Sequence, residues 1–333
     1  MTNTLRVAVI GTGNIGKRHA QVYQASPLAE LVAICDLDHT RADAAATQFG
    51  VPASYRVSDM LESHRPDLVS VATAGFENGS DHYEPVMEAL KHGVAVLCEK
   101  PLSNDLQQVR DMVSLAREKN LCLAVDLNHR FSPATELART RLQQGDIGEV
   151  LFINMNLWIR NPNESSPWFH LRALHSHSID VMRCFGGNVS RVQAFLHKGP
   201  GRATWSNCSI NMQFESGALG HLCGSYDMSM NHSIERTEIG GNAGRMIIDN
   251  ACVDLHYYPH DSREEVIVRN VGGMASFGDT MPYRINSLLK QLSLGTAPAG
   301  IEGSGAEALA AQEVVEATIV SWENGAVVNL PLP

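Results

Sequence analysis

Gly11-Thr12-Gly13-Asn14-Ile15-Gly16 stands directly after the apolar run at 5–10 and opens the helical pattern at 14–25. Such a turn is tight at Gly11, lets the backbone approach a pyrophosphate at Gly13, and lets helix and strand pack closely at Gly16. The helix start that follows, at Asn14 and Ile15, offers free N–H groups and a positive dipole end to phosphates. Outward from the turn, apolar runs at 31–35, 68–72, 94–98 and 121–125 alternate with helical patterns at 40–49, 82–92 and 105–119. Short, continuously apolar strands separated by helices are covered on both faces, which predicts a doubly wound parallel sheet with right-handed crossovers.

The period changes after Asp126. In 207–215, Cys208, Ile210, Met212 and Phe214 face one way while Asn207, Ser209, Asn211, Gln213 and Glu215 face the other. Period two with one polar face predicts an antiparallel sheet covered on one side. Similar strands are expected at 149–158, 189–198, 218–226, 245–249, 252–258 and 265–271, with Gly240-Gly241 and Gly272-Gly273 as turns. Helices are expected at 133–144, 282–294 and 307–321, and a closing strand at 326–330. The fold class is therefore α/β: an N-terminal Rossmann domain, 1–126, and a C-terminal α+β domain, 127–333, on a large open, mainly antiparallel sheet.

Asp36 ends the second strand 20 residues past Gly16. A carboxylate there accepts the adenosine ribose hydroxyls and repels a 2′-phosphate, favouring NAD over NADP. Arg41 is the residue that would meet a 2′-phosphate. Cys98-Glu99-Lys100-Pro101 closes the fifth strand at the sheet edge where doubly wound folds bind ligands. Beside an oxidised nicotinamide, whose charge lowers a lysine pKa, Lys100 is suited to orient a substrate hydroxyl and exchange its proton. Taken alone, it reads better as an exposed strand-end lysine.

Lys plus Arg total 26 against 36 Asp plus Glu, a net charge of −10, which argues against nucleic-acid binding. Of all residues 44% are hydrophobic and 19% charged, as in a globular chain, and no run is long enough to span a membrane. Seven scattered cysteines without a CxxC pair read as reduced thiols, so a cytoplasmic location without a signal peptide is expected.

Gly11–Gly16, Asp36, Glu99-Lys100-Pro101, Asn128-His129-Arg130-Phe131 and His177-Ser178-Ile179-Asp180 fall in the order seen in the Gfo/Idh/MocA family, which the chain resembles over essentially its whole length. The resemblance implies that Lys100 holds the reacting hydroxyl and His177 serves as acid/base. It implies that Thr73, Ala74, His82, Glu99, Asn128, Trp168 and Tyr283 join the cofactor site, and that Pro101 follows a cis bond. It places Arg130 at the entry to the second domain, among substrate contacts. Two departures stand out. The aspartate expected four residues before His177 is Ala173, and the segment at 74–81 is longer than usual.

Residues 168–177 are rich in histidine. For His175 and His177, with Phe169, Arg172 and Asp180, acid/base and substrate contact rank ahead of helix capping. A metal ranks last and none is expected, because no Cys or Glu with ligand spacing accompanies these histidines. Asp180 reads as evenly as a helix-supporting carboxylate. The activity implied is NAD-dependent hydride transfer with a secondary alcohol of a sugar, glycoside or cyclic polyol. The alternatives are an enzyme recycling NAD through transient oxidation, a keto-sugar reductase, or, last, a non-catalytic nucleotide-binding regulator. The resemblance also implies a homodimer or homotetramer.

Overall fold

The computed structural model of the chain describes residues 4–74, 82–228 and 234–332. Most of the long segment at 74–81 thus lies outside the described residues. By internal packing the chain divides into two compact units. The first comprises Met1–Asp126 with Met281–Leu309, the second Leu127–Thr280 with Ala310–Pro333.

The first unit runs β1 (Leu5–Ile10), α1 (Asn14–Ala25), β2 (Ala29–Cys35), α2 (His39–Phe49), β3 (Ala53–Ser54), α3 (Val57–His64), β4 (Leu68–Val71), α4 (Tyr83–Lys91), β5 (Ala95–Cys98), α5 (Leu106–Glu118) and β6 (Leu123–Val125). Its strands form one sheet in the order β3-β2-β1-β4-β5-β6, and every pair is parallel. Strand order reverses between β1 and β4, the point where such sheets open a crevice at their carboxyl ends. Both faces of the strands are apolar because helices cover both, as in β1 with Val7, Ala8, Val9 and Ile10 all buried.

The second unit opens with a 3-10 turn, Asn128–Phe131. It continues through α6 (Pro133–Gln143), β7 (Val150–Trp158), α7 (Phe169–Gly186), β8 (Val189–His197), β9 (Asn207–Phe214), β10 (Leu219–Ser225), β11 (Ile234–Gly241), β12 (Gly244–Asp249), β13 (Asp254–Pro259) and β14 (Val266–Val268). Along the chain α8 (Thr280–Ser293), which from Met281 belongs to the first unit, α9 (Gly305–Asn324), which passes into the second unit at Ala310, and β15 (Val328–Asn329) then follow. The sheet order is β14-β13-β12-β11-β7-β10-β9-β8-β15, antiparallel except for the β7–β10 pair. In β9 the residues expected to point inward, Cys208, Ile210, Met212 and Phe214, are the buried ones. No helix among the described residues is long and apolar enough to cross a membrane.

Two expectations change. Met281–Leu309, read as part of the second domain, packs with the first, because Met281, Ile285, Leu288 and Leu289 of α8 join the core around Val7 and Val9. Gly240 and Gly241 are no turn but the end of β11, a strand beside β7 that the glycines disguise. A Cβ at Gly240 would meet the Phe152 ring at 2.5 Å, and one at Gly241 the Ile147 carbonyl at 2.1 Å. The chain reverses just after them, between Gly241 and Gly244. In addition, α7 is a long helix buried on nearly every side, which the helices expected after Asp126 do not include.

Candidate active site

In the first unit the carboxyl ends of the strands are stitched in line. Gly11 N–H donates to the Cys35 carbonyl, Ala72 N–H to Ile10, Glu99 N–H to Val71 and Asp126 N–H to Cys98, at 2.8–2.9 Å. Gly11 has φ +90°, and a Cβ on it would stand 2.6 Å from the Ala72 oxygen. A Cβ on Gly16 would stand 1.8 Å from the Gly11 oxygen, whereas one on Gly13 would meet nothing within 4 Å. Two glycines thus close the turn on itself, and the third leaves open space over the start of α1. Gly13 caps that helix without any side-chain hydrogen bond, so its first N–H groups are not consumed by a cap. This is the cradle a pyrophosphate fits.

Asp36 stands beside the cradle. Its Oδ2 accepts from Thr12 N–H (2.8 Å) and Thr12 Oγ1 (2.7 Å), and its Oδ1 from Asp38 N–H (2.9 Å). Burial alone would raise its pKa, but these hydrogen bonds and nearby Arg41 hold it below the ordinary carboxylate value. Arg41 itself pairs with Asp38 one turn away (3.4 Å).

Lys100 and Glu99 follow β5, with a cis bond between Lys100 and Pro101. Loss of water lowers the Lys100 pKa, and Glu99 and Asp126 pull against that. Beneath them lies a group the sequence reading missed. His19 is fully buried, with Nδ1 2.6 Å from Ser70 Oγ and Nε2 3.1 Å from Glu99 Oε1 and 3.5 Å from Asp126 Oδ2. Burial opposes its charge, yet the two carboxylates raise its pKa to about 9. Glu99 is raised by burial and by Asp126. Asp126, despite burial, is lowered, chiefly by His19. The signal was present in the sequence, since His19 shares one helical face with Gly16, Ala20 and Tyr23.

Of the other first-unit candidates, Thr73 and Ala74 follow β4 and retain exposed surface, as does Ile15 beside the cradle. Tyr283 is partly exposed in the first turn of α8. His82 is buried between the carbonyls of Pro101 (2.9 Å) and Thr73 (3.2 Å), where it braces two strand-end loops.

In the second unit, the His177 ring stacks on His129, with centroids 4.1 Å apart and planes at 20°. His129 Nδ1 is bonded to Glu235 Oε1 (2.5 Å), which also accepts from Cys252 Sγ (3.1 Å). The neighbour of His177 is therefore an imidazole tied to a carboxylate, while Ala173 packs among Leu157, Phe169, Leu174 and Tyr226. Asn128 donates its amide to Thr280 Oγ1 (2.7 Å).

Several residues expected to touch substrate are turned to other work. Arg130 and Asp180 form a buried two-pronged ion pair, Nε to Oδ2 at 2.7 Å and Nη2 to Oδ1, which uses both for structure. Arg172 makes two 2.8 Å bonds to Glu316. Phe169 is a core residue, 2% exposed. Trp168, expected at the cofactor site, is the residue just before α7 and stacks on Trp205. His175 is fully buried and bonded to Ser178 and His170, so it is no substrate contact. The spacing argument against a cysteine near these histidines also fails, because β9 brings Cys208 Sγ to 3.4 Å from His175 Nε2.

Residues 5–127 match the family described as "Oxidoreductase family, NAD-binding Rossmann fold", and residues 135–247 match the "GFO/IDH/MocA C-terminal domain". A D-glucoside 3-dehydrogenase of Escherichia coli is 36% identical over 45% of this chain and 42% of its own length. An inositol 2-dehydrogenase of an Arthrobacter species is 32% identical over 67% of both chains. The matches span about half the length of several curated relatives. A levoglucosan dehydrogenase solved with NADH and levoglucosan shares the fold, with TM-score 0.87, 22% identity, and coverage of 98% of this chain and 100% of that one.

Proposed function

Because the chain belongs to the Gfo/Idh/MocA oxidoreductase family, we propose that it is an NAD-dependent dehydrogenase acting on a secondary alcohol of a sugar, glycoside or cyclic polyol. The observation that carries this reading is the alignment along one sheet edge of the glycine cradle, the ionised Asp36 and Lys100. The cradle N–H groups at α1 hold the pyrophosphate, and Asp36 takes the ribose hydroxyls, disfavouring NADP. Bound nicotinamide supplies hydride transfer, which no side chain can.

Lys100 Nζ orients the reacting hydroxyl, and its lowered pKa brings it closer to the range in which it can exchange that proton. The His19–Glu99–Asp126 group holds the carboxylates beneath Lys100 in fixed positions. Within the second unit, His177, its ring stacked on His129 and that imidazole bonded to Glu235, is the acid/base candidate. Of the remaining candidates, Thr73, Ala74 and Tyr283 complete the cofactor site.

The reading includes a reducing cytoplasm, where the seven free cysteines stay as thiols, and a homodimer or homotetramer. Support for the oligomer comes from exposed Phe152 and Leu219, register partners on β7 and β10, and from exposed Phe195 on β8.

The test is a spectrophotometric screen of sugars, glycosides and inositols with NAD and NADP. Steady accumulation of free NADH with at least one polyol is expected, faster than any NADPH. Turnover of a glycoside with no free NADH would replace net oxidation by the recycling reading.

A further inference from the structure

Among the described residues three groups bring histidine close enough to other ligand atoms to share an ion: His19–Glu99–Asp126, His129–Glu235–Cys252 and His170–His175–Cys208. In the first two, each imidazole faces a carboxylate, and an ordinary charge-assisted hydrogen bond accounts for the contact. The third has no carboxylate. It joins two imidazoles and a thiol, all buried, between α7 and the sheet.

Proton accounting sets this third group apart. His170 Nδ1 lies 3.2 Å from the Trp205 carbonyl, which can only accept, so Nδ1 carries the proton and Nε2 of the neutral ring is a bare lone pair. Burial holds both rings neutral, His170 with its pKa lowered to about 3 and His175 well below its ordinary value. His175 Nε2 stands 3.0 Å from His170 Nε2 and 3.4 Å from Cys208 Sγ. One hydrogen on His175 Nε2 can serve only one of these neighbours. A cation serves all three at once.

We propose that His170 Nε2, His175 Nε2 and Cys208 Sγ bind a thiolate- and imidazole-preferring divalent ion of the zinc class, which fastens the start of α7 to the sheet. Zn–N bonds of about 2.0–2.1 Å and a Zn–S bond of about 2.3 Å at tetrahedral angles imply ligand separations of about 3.3 Å for N–N and about 3.6 Å for N–S. The observed 3.0 and 3.4 Å need only a few tenths of an ångström of opening. Each ring has the outer partner that orients a metal-bound imidazole: the Trp205 carbonyl on His170 Nδ1, and Ser178 Oγ, 3.0 Å from His175 Nδ1. Room at the convergence point depends on Gly224 of β10, where a Cβ would stand 2.1 Å from His175 Nε2 and 2.8 Å from Cys208 Sγ. On binding, Cys208 releases its proton to solvent, and His175 carries its ring proton on Nδ1, toward Ser178 Oγ, so that Nε2 is free for the ion.

The proposal is independent of the dehydrogenase reading and is tested without an activity assay. The full-length protein is produced in zinc-supplemented medium, desalted and analysed for metal. One zinc per chain is expected, and chelation should lower the melting temperature. Protein loaded with Co²⁺ should show a thiolate-to-cobalt charge-transfer band and tetrahedral d–d bands, lost in Cys208→Ser and kept in Cys252→Ser. If Cys208→Ser does not fold, the zinc content and cobalt spectrum of the wild type decide. Zinc at background level, an absent charge-transfer band, or a band that survives Cys208→Ser but not Cys252→Ser would overturn the assignment.

Discussion

Lys100→Met is expected to lower turnover by about 10²–10⁴-fold, the range a positioned proton-transfer group contributes, while NAD binding stays nearly unchanged. Methionine matches the length of the lysine stem but removes the ammonium that orients the hydroxyl. The cradle that holds the cofactor lies after β1, and the lysine after β5, so the substitution leaves the phosphate contacts intact. The buried carboxylates also keep a cation, since His19 remains between Glu99 and Asp126. Steady-state kinetics paired with calorimetric titration of NAD separates the two effects. Full activity in the variant would remove Lys100 from the chemistry. Equal loss of binding and turnover would make it a cofactor ligand only.

Asp180→Ala is expected to destabilise the protein by about 3–5 kcal/mol, because breaking a buried pair leaves an uncompensated charge. Arg130 and Asp180 are 3% and 1% exposed, and the guanidinium meets the carboxylate through two parallel bonds. Without Asp180, the Arg130 cation stays desolvated in the interior. Replacing both, as Arg130→Met with Asp180→Ala, removes that orphaned charge and is expected to recover much of the loss. Denaturant unfolding of the single and double variants measures this. A loss below about 1 kcal/mol for the single variant, the range of exposed pairs, would show that water reaches the pair.

The first unit was legible because its signals are local. Gly11, Gly13 and Gly16 each answer a different steric demand, and β1, β4 and β5 are apolar over most of their length because both faces are covered. In the second unit the alternation of β9 was as plain, since one face alone is buried. What escaped was what depends on distant neighbours. Glycines 240 and 241 look like a turn until the Phe152 ring and the Ile147 carbonyl are seen to occupy the Cβ positions. The return of α8 to the first unit leaves no local mark, because an apolar stripe does not say which core it enters. Likewise, the charged candidates Arg130, Arg172 and Asp180 are visible in the sequence, but only tertiary packing pairs Arg130 with Asp180 and brings Arg172 to Glu316, a residue nothing local singles out. His177 kept its place on α7, while its partner is the His129 ring, 48 residues earlier in the sequence.

In the proposed function a dinucleotide sits at α1 with its adenosine ribose on Asp36. The most direct measurement is calorimetric titration of NAD and NADP into the wild type and into Asp36→Ala. The wild type should take up one NAD per chain and bind NADP at least tenfold more weakly, a gap of about 1.4 kcal/mol that the alanine variant narrows. Absence of NAD binding by the wild type, or tighter binding of NADP, would contradict it.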